Sequence, residues 1–139
     1  MDITKFLYVS LASALLVTAS SGALAGGDAA AGAQKAASCT SCHGANGEGA
    51  PNWRQRDAND QFPPPPLNGG GHSWHHPLSA LRHTIRNGTQ AIGGSMPAWK
   101  DKLSDADIYA VIAWFQSKWP ERAYIAWYDI DQRARKRKQ

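Results

Sequence analysis

An all-α domain with long irregular loops is the fold class that the sequence predicts, and three observations lead to it. Apolar residues recur at helical spacing in two stretches, Leu78, Leu81 and Ile85, then Ile108, Val111, Ile112 and Phe115. No stretch alternates convincingly with period two, the mark of a half-buried strand. Residues 44 to 73 are crowded with glycine, proline and polar residues, including Pro63-Pro64-Pro65-Pro66 and Gly69-Gly70-Gly71, and a loop of that length needs something to wrap around. The chain has 139 residues and no internal repeat, which suits one small domain.

Residues 1–25 read as an export signal. Lys5 supplies the charged start, Phe6 to Ala19 the apolar stretch, and Ala23-Leu24-Ala25 a small-x-small cleavage site. That apolar stretch is shorter than the roughly 20 residues that span a bilayer, so cleavage and a periplasmic location are expected rather than an anchor. A domain at 26–120 and a basic, helical C-terminal extension at 121–139 would follow. The formal net charge of the chain is +4. Arg133, Arg135, Lys136, Arg137 and Lys138 at the extreme end account for it, since the chain from Gly26 to Gln132 carries one more acidic than basic residue. A basic tail of this kind offers weak contact with an acidic partner or an anionic membrane surface, and gives no reason to expect nucleic-acid binding across a face.

In chain order, the alanine-rich segment from Asp28 to Ser38 reads as a short helix, with Asp28 at its positive N-terminal end. Pro77 suits the first turn of a second helix, which runs to Asn87 and ends at Gly88 in a left-handed conformation. Ser104 and Asp107 form a capping box in which Asp replaces the usual Glu or Gln, opening the clearest helix of the chain, to about Trp119 and stopped by Pro120. Residues 121–139 add a further helix with Tyr124, Ile125 and Tyr128 as its apolar stripe.

The first helix leads directly into Cys39-Thr40-Ser41-Cys42-His43. Two cysteines in an exported protein would ordinarily suggest a disulfide, but this spacing is the C-x-x-C-H pattern of c-type haem attachment. Thiols three positions apart can add to the two vinyl groups on one edge of a porphyrin, and the next imidazole then lies beneath the iron. A thioredoxin-like pair would need a βαβ context, and a zinc site a second pair of cysteines; the sequence has neither. One covalent haem c is therefore expected, with Cys39 and Cys42 as attachment points and His43 as an axial iron ligand. Beyond residue 25 there is one methionine, Met96, in Gly93-Gly94-Ser95-Met96-Pro97-Ala98-Trp99. Its neutral, polarizable thioether suits the opposite axial position and raises the potential relative to two histidines. The alternative is that Met96 fills a gap and His72, His75, His76 or His83 binds the iron.

With these residues in place the chain resembles bacterial class I monohaem cytochromes c from Asp28 to Trp119. The resemblance rests on Cys39 to His43 followed by Gly44, Gly47, Glu48 and Gly49, on Pro65-Pro66-Leu67, on Ile85-Arg86-Asn87-Gly88, on Met96-Pro97, and on Leu103-Ser104-Asp105 leading into Val111-Ile112-Ala113-Trp114-Phe115. It implies a small cytochrome c fold, in which helices and long loops surround the haem, the N- and C-terminal helices cross, and one haem edge stays exposed. It also implies that the Pro65 carbonyl accepts a hydrogen bond from His43 Nδ1 and that Leu67 packs on the porphyrin, with Pro51 competing for the proline's role. Four positions before the first cysteine, where the family often has an aromatic residue packing on the C-terminal helix, this chain has Lys35. Ala31 and Gly32 allow close helix approach there, with Trp114 filling the gap.

His72-Ser73-Trp74-His75-His76 is the other conspicuous cluster. Trp74 is expected to cover a haem edge, and a histidine or Arg86 to approach a haem propionate; a peripheral copper or zinc site is the rival reading. The function expected from the whole is transfer of single electrons between exported or membrane-bound redox proteins, without an acid, base or nucleophile. The alternatives are a cytochrome subunit of a dehydrogenase or terminal oxidase complex, and a ligand-binding or peroxidatic haem protein with an open iron position.

Overall fold

A computed structural model describes residues 27–139. The expected export signal and its cleavage site lie outside the described residues. Those described form five helices and no strand: α1 (Ala29–Lys35), α2 (Ala37–His43), α3 (Leu78–Asn87), α4 (Asp105–Gln116) and α5 (Glu121–Lys136). Single 3₁₀ turns lie at Ser73–His75 and Gln90–Ile92. The loop-rich stretch between α2 and α3 is as irregular as its composition requires.

The anticipated first helix is divided in two. Asp28 caps α1, its carboxylate accepting from the Ala30 and Ala31 N–H groups at 2.8 and 3.4 Å. The helix ends at Lys35, and α2 starts afresh after Ala36, which is completely buried at the joint. Packing explains this close fit: α1 lies against α4 with backbone touching backbone. A Cβ on Gly32 would stand 1.9 Å from the Ala110 carbonyl oxygen and 2.9 Å from Trp114 Cβ. The two helices cross at this glycine. Lys35, the departure from the family pattern, reaches across the same crossing to Asp107 at 3.0 Å.

The capping box at the start of α4 forms as expected. Ser104 Oγ accepts from the Asp107 N–H at 3.1 Å, and the Asp107 carboxylate accepts from the Ser104 N–H at 3.0 Å. The helix is shorter than expected, ending at Gln116, and Ser117–Trp119 continue as a turn. Hydrogen bonds from Ser104 first, and the Lys35 ammonium second, hold the Asp107 carboxyl at about 2, below its ordinary 3.8. A depressed carboxylate stabilises the fold above its unfolded value and loses that contribution as pH falls through the folded one. The melting temperature of Asp107→Asn should therefore lie below wild type near neutral pH, with the gap closing between about pH 4 and pH 2. A constant gap over that range would sever the link to this carboxylate.

Pro77 stands one residue before α3, as its N-cap, and Gly88 ends the helix at φ 72° and ψ −172°, a positive φ but not the left-handed helical region. Pro77 has no side-chain group with which to cap, and the cap comes from elsewhere: the Leu78 N–H donates to Asp131 of α5 at 2.8 Å. Asp131 is 3% exposed and also accepts from Arg135 Nε at 2.6 Å. The expected apolar stripe of α5 is corrected by this packing. Ala123, Trp127 and Asp131 face the core, Tyr124 lies at its margin, and Ile125 and Tyr128 are half exposed. Spacing alone favoured the wrong face because its largest inward side chain, Trp127, was not part of the proposed stripe. Trp127 meets Trp119 edge-on at 6.0 Å between ring centres, so α5 shares the core of the preceding helices.

Asp131→Ala would strand the buried Leu78 N–H, a loss of about 1–3 kcal/mol by urea denaturation. Asp131→Asn, which keeps a side-chain oxygen able to accept from the Leu78 N–H, should lose less. Equal losses would count against the capping role.

Candidate functional site

The C-x-x-C-H residues occupy the last turn and a half of α2. One turn of helix places Cys39 inward, 9% exposed, and Cys42 outward, with both thiols unbridged. Burial, and then the neighbouring Cys42, push the Cys39 thiol above its ordinary value. His43 is the final residue of the helix, and its ring is fixed by a distant part of the chain: Nδ1 lies 2.8 Å from the Pro65 carbonyl oxygen. A carbonyl can only accept, so Nδ1 carries the proton and Nε2 keeps its lone pair. Burial lowers the His43 pKa, and the bond to Pro65 opposes that fall.

Backbone bonds register the Pro65 segment against the loop after α2. Gly49 N–H donates to the His43 carbonyl at 2.7 Å, Ala50 N–H to the Pro64 carbonyl at 2.9 Å, and Leu67 N–H to the Gly47 carbonyl at 2.7 Å. Consecutive prolines have no N–H of their own, which leaves their carbonyls to outside donors. Pro51 is exposed and makes no such bond to His43. Trp119 holds Leu67 in place, its Nε1 donating to the Leu67 carbonyl at 2.8 Å. Leu67 itself is partly buried against the core.

Met96 is also partly buried against that core. Thr89 grips its backbone from both sides: Met96 N–H donates to Thr89 Oγ1 at 3.1 Å, and Thr89 N–H to the Met96 carbonyl at 2.9 Å. Gly88 makes the grip feasible. A Cβ there would come within 2.6 Å of the Met96 carbonyl oxygen and 2.7 Å of Pro97, and the positive φ disfavours any side chain besides. The segments carrying Pro65 and Met96 meet at a parallel bridge between Phe62 and Gly94, with Ser95 Oγ donating to the Phe62 carbonyl at 3.4 Å.

The remaining sequence candidates are placed differently. Arg86 Nη1 bonds Asp105 at 2.9 Å, and Arg82 bonds the other oxygen of the same carboxylate at 2.6 Å, tying α3 to the first turn of α4. Trp74 packs on the core, donates from Nε1 to the Gly71 carbonyl at 3.1 Å, and stacks on His75 at 3.7 Å between ring centres. His72 stacks on Trp53. Thr89, Trp119 and Asp105 were missed by sequence reasoning. Nothing in the sequence marks Thr89, whereas a tryptophan immediately before Pro120, beyond the last full helical turn, was a signal available for Trp119.

The donor set fits a haem c. It pairs two free thiols at helical spacing with an imidazole whose outer nitrogen is occupied, and a thioether loop is braced by a threonine and a glycine. Among the described residues, no cluster of three or more His, Cys, Asp or Glu offers a competing metal centre, and no helix is long and apolar enough to cross a membrane.

No match to the chain is found among curated proteins or among solved structures. Residues 27–115, from just before α1 to the last turn of α4, match the family model described as cytochrome c oxidase, cbb3-type, subunit III. That match spans the attachment motif, the proline segment, the methionine loop and the crossing helices together, and it makes this chain a member of that c-type cytochrome family, with the haem and electron-carrying role the family implies.

Proposed function

We propose that the protein carries one haem, covalently bound through Cys39 and Cys42 and ligated by His43 and Met96, and passes single electrons between redox proteins. The observation that carries this reading is the His43–Pro65 bond. It fixes the tautomer, aims Nε2 away from the proline segment and strengthens the imidazole as a ligand. When bound, the haem supplies an iron that alternates between ferric and ferrous states. The chain's own part is to hold the ring of His43 in one orientation, to present the Met96 thioether on a braced loop, and to exclude water with Leu67, Trp74 and the buried face of α4. No proton transfer and no nucleophile enters this scheme.

Export to the periplasm by the segment at 1–25 belongs to the same proposal, as does the division into a domain at 26–120 and an extension at 121–139. The basic end of α5 would meet an acidic partner or anionic lipid through charge, a contact weakened by salt. A second reading, a cytochrome subunit of a terminal oxidase, is favoured by the family to which residues 27–115 match. Co-purification with membrane-bound haem proteins at high salt separates the fixed subunit from the free carrier.

Mass spectrometry of the exported protein should find one haem adduct on the peptide holding Cys39 and Cys42, and a potentiometric titration should follow a one-electron curve. Cys39→Ala and Cys42→Ala should each leave a single thioether. A full-length protein lacking any adduct, produced alongside an active maturation system, would overturn the proposal.

A further inference from the structure

We propose that His72 and His76 form a second, peripheral site for a divalent transition-metal ion of the Cu(II) or Zn(II) class. The 3₁₀ turn at Ser73–His75 reverses the chain, with His75 N–H bonded to the His72 carbonyl at 3.0 Å and His76 N–H to the Ser73 carbonyl at 3.2 Å. Residues 72 and 76 thereby arrive side by side, their ring centres 5.8 Å apart and their planes at 73°. That spacing suits a shared ion. With metal–nitrogen bonds of about 2.0–2.1 Å, a metal lies about 3.2 Å from each ring centre, which puts the centres about 5.2 Å apart at a tetrahedral angle and about 6.4 Å apart when opposed. The observed separation falls between these limits, and from the edge-to-face arrangement of the two rings the exposed His76 ring has to turn to aim a nitrogen at the ion.

The surroundings choose the ion and hold the first ligand in place. His72 stacks on Trp53 at 5.5 Å, and Arg54 lies over the same indole at 4.3 Å, so its ring is positioned by packing although the residue is exposed. His75 is committed to Trp74 and does not join the pair. Since no third His, Cys, Asp or Glu completes a cluster among the described residues, the other coordination positions fall to water. An imidazole-only donor pair favours Cu(II) over Zn(II) and gives little hold to Mg(II) or Ca(II), which prefer oxygen. An ion there would clasp both ends of the turn that packs against α5 and, through Trp53, steady the loop after α2.

The test uses the haem-loaded protein, titrated with Cu(II) and separately with Zn(II) by calorimetry, with electron paramagnetic resonance of the copper form. One equivalent of Cu(II) with nitrogen hyperfine structure, displacing Zn(II), is expected. His72→Ala and His76→Ala should each weaken it by about tenfold or more, while His83→Ala on α3 leaves it unchanged. Should loss of the Trp53 stack impair folding of the first variant, His76→Gln carries the comparison. The site is refuted if neither ion binds saturably, if binding survives in the His76 variants, or if Mg(II) binds as well as Cu(II).

Discussion

Replacing Met96 by alanine in the haem-loaded protein is expected to abolish the low-spin ferric spectrum with its red charge-transfer band, to lower the reduction potential, and to admit cyanide or carbon monoxide. A thioether favours the ferrous state, so its removal acts on potential as well as on spin state. The backbone around Met96 is held on both sides. Thr89 fixes both backbone groups of Met96, and Gly88 lets the Met96–Pro97 backbone pass at a distance no side chain would tolerate. A graded version of the experiment follows from this brace. Thr89→Val keeps the bulk but removes the hydroxyl that accepts from the Met96 N–H, a loss of about 1 kcal/mol, or roughly fivefold in the balance between braced and released loop. It should weaken the charge-transfer band without eliminating it. An unchanged spectrum in Met96→Ala would pass the ligand role to His72, His75, His76 or His83. The structure gives the last of these a different engagement, with its ring nitrogen 3.1 Å from Asn87 Nδ2.

Gly32→Val should be the most destabilising single substitution in α1. Overpacking commonly costs about 1–3 kcal/mol because neighbouring side chains can rotate away. Here the first atom encountered is the Ala110 carbonyl oxygen, which belongs to the helix backbone and has no rotamer to change. The loss should therefore reach the upper end, about 3 kcal/mol or more in urea denaturation. Gly32→Ala already carries the offending Cβ and should lose most of that amount. The neighbouring Ala33→Val, on an exposed position of the same helix, controls for β-branching and should cost less than about 1 kcal/mol. If Gly32→Ala were as stable as wild type, α1 and α4 would not cross as closely as the structure has them.

Much of the helical architecture was legible because it depends on neighbours in the chain. The capping box of Ser104 and Asp107 joins residues three apart, and Asp28 caps N–H groups two and three residues on. The stripe of Leu78, Leu81 and Ile85 is buried as its spacing predicted. Where the reading failed, the deciding partner was remote. The first helix breaks at Ala36, a residue wholly buried in the core cluster. The buried face of α5 is chosen by Trp119, by the core, and by the N-terminus of α3, which needs the acceptor that Asp131 provides. Periodicity within α5 has no access to that need.

The site divides along the same line. Cys39, Cys42 and His43 were proposed from the sequence by themselves, because the attachment chemistry they would serve sets a spacing within one helical turn, and the structure places all three on one helix. Met96 was singled out by scarcity, as the one methionine after residue 25, framed by glycine and proline. Only the tertiary structure decided that Pro65 rather than Pro51 meets His43 Nδ1, that Thr89 braces Met96, and that Arg86 pairs with Asp105. Each of these is a directional contact of about 3 Å, made between parts of the chain whose separation is set by how the loops close. Spacing along a chain dictates such contacts within a helical turn; beyond it, packing does.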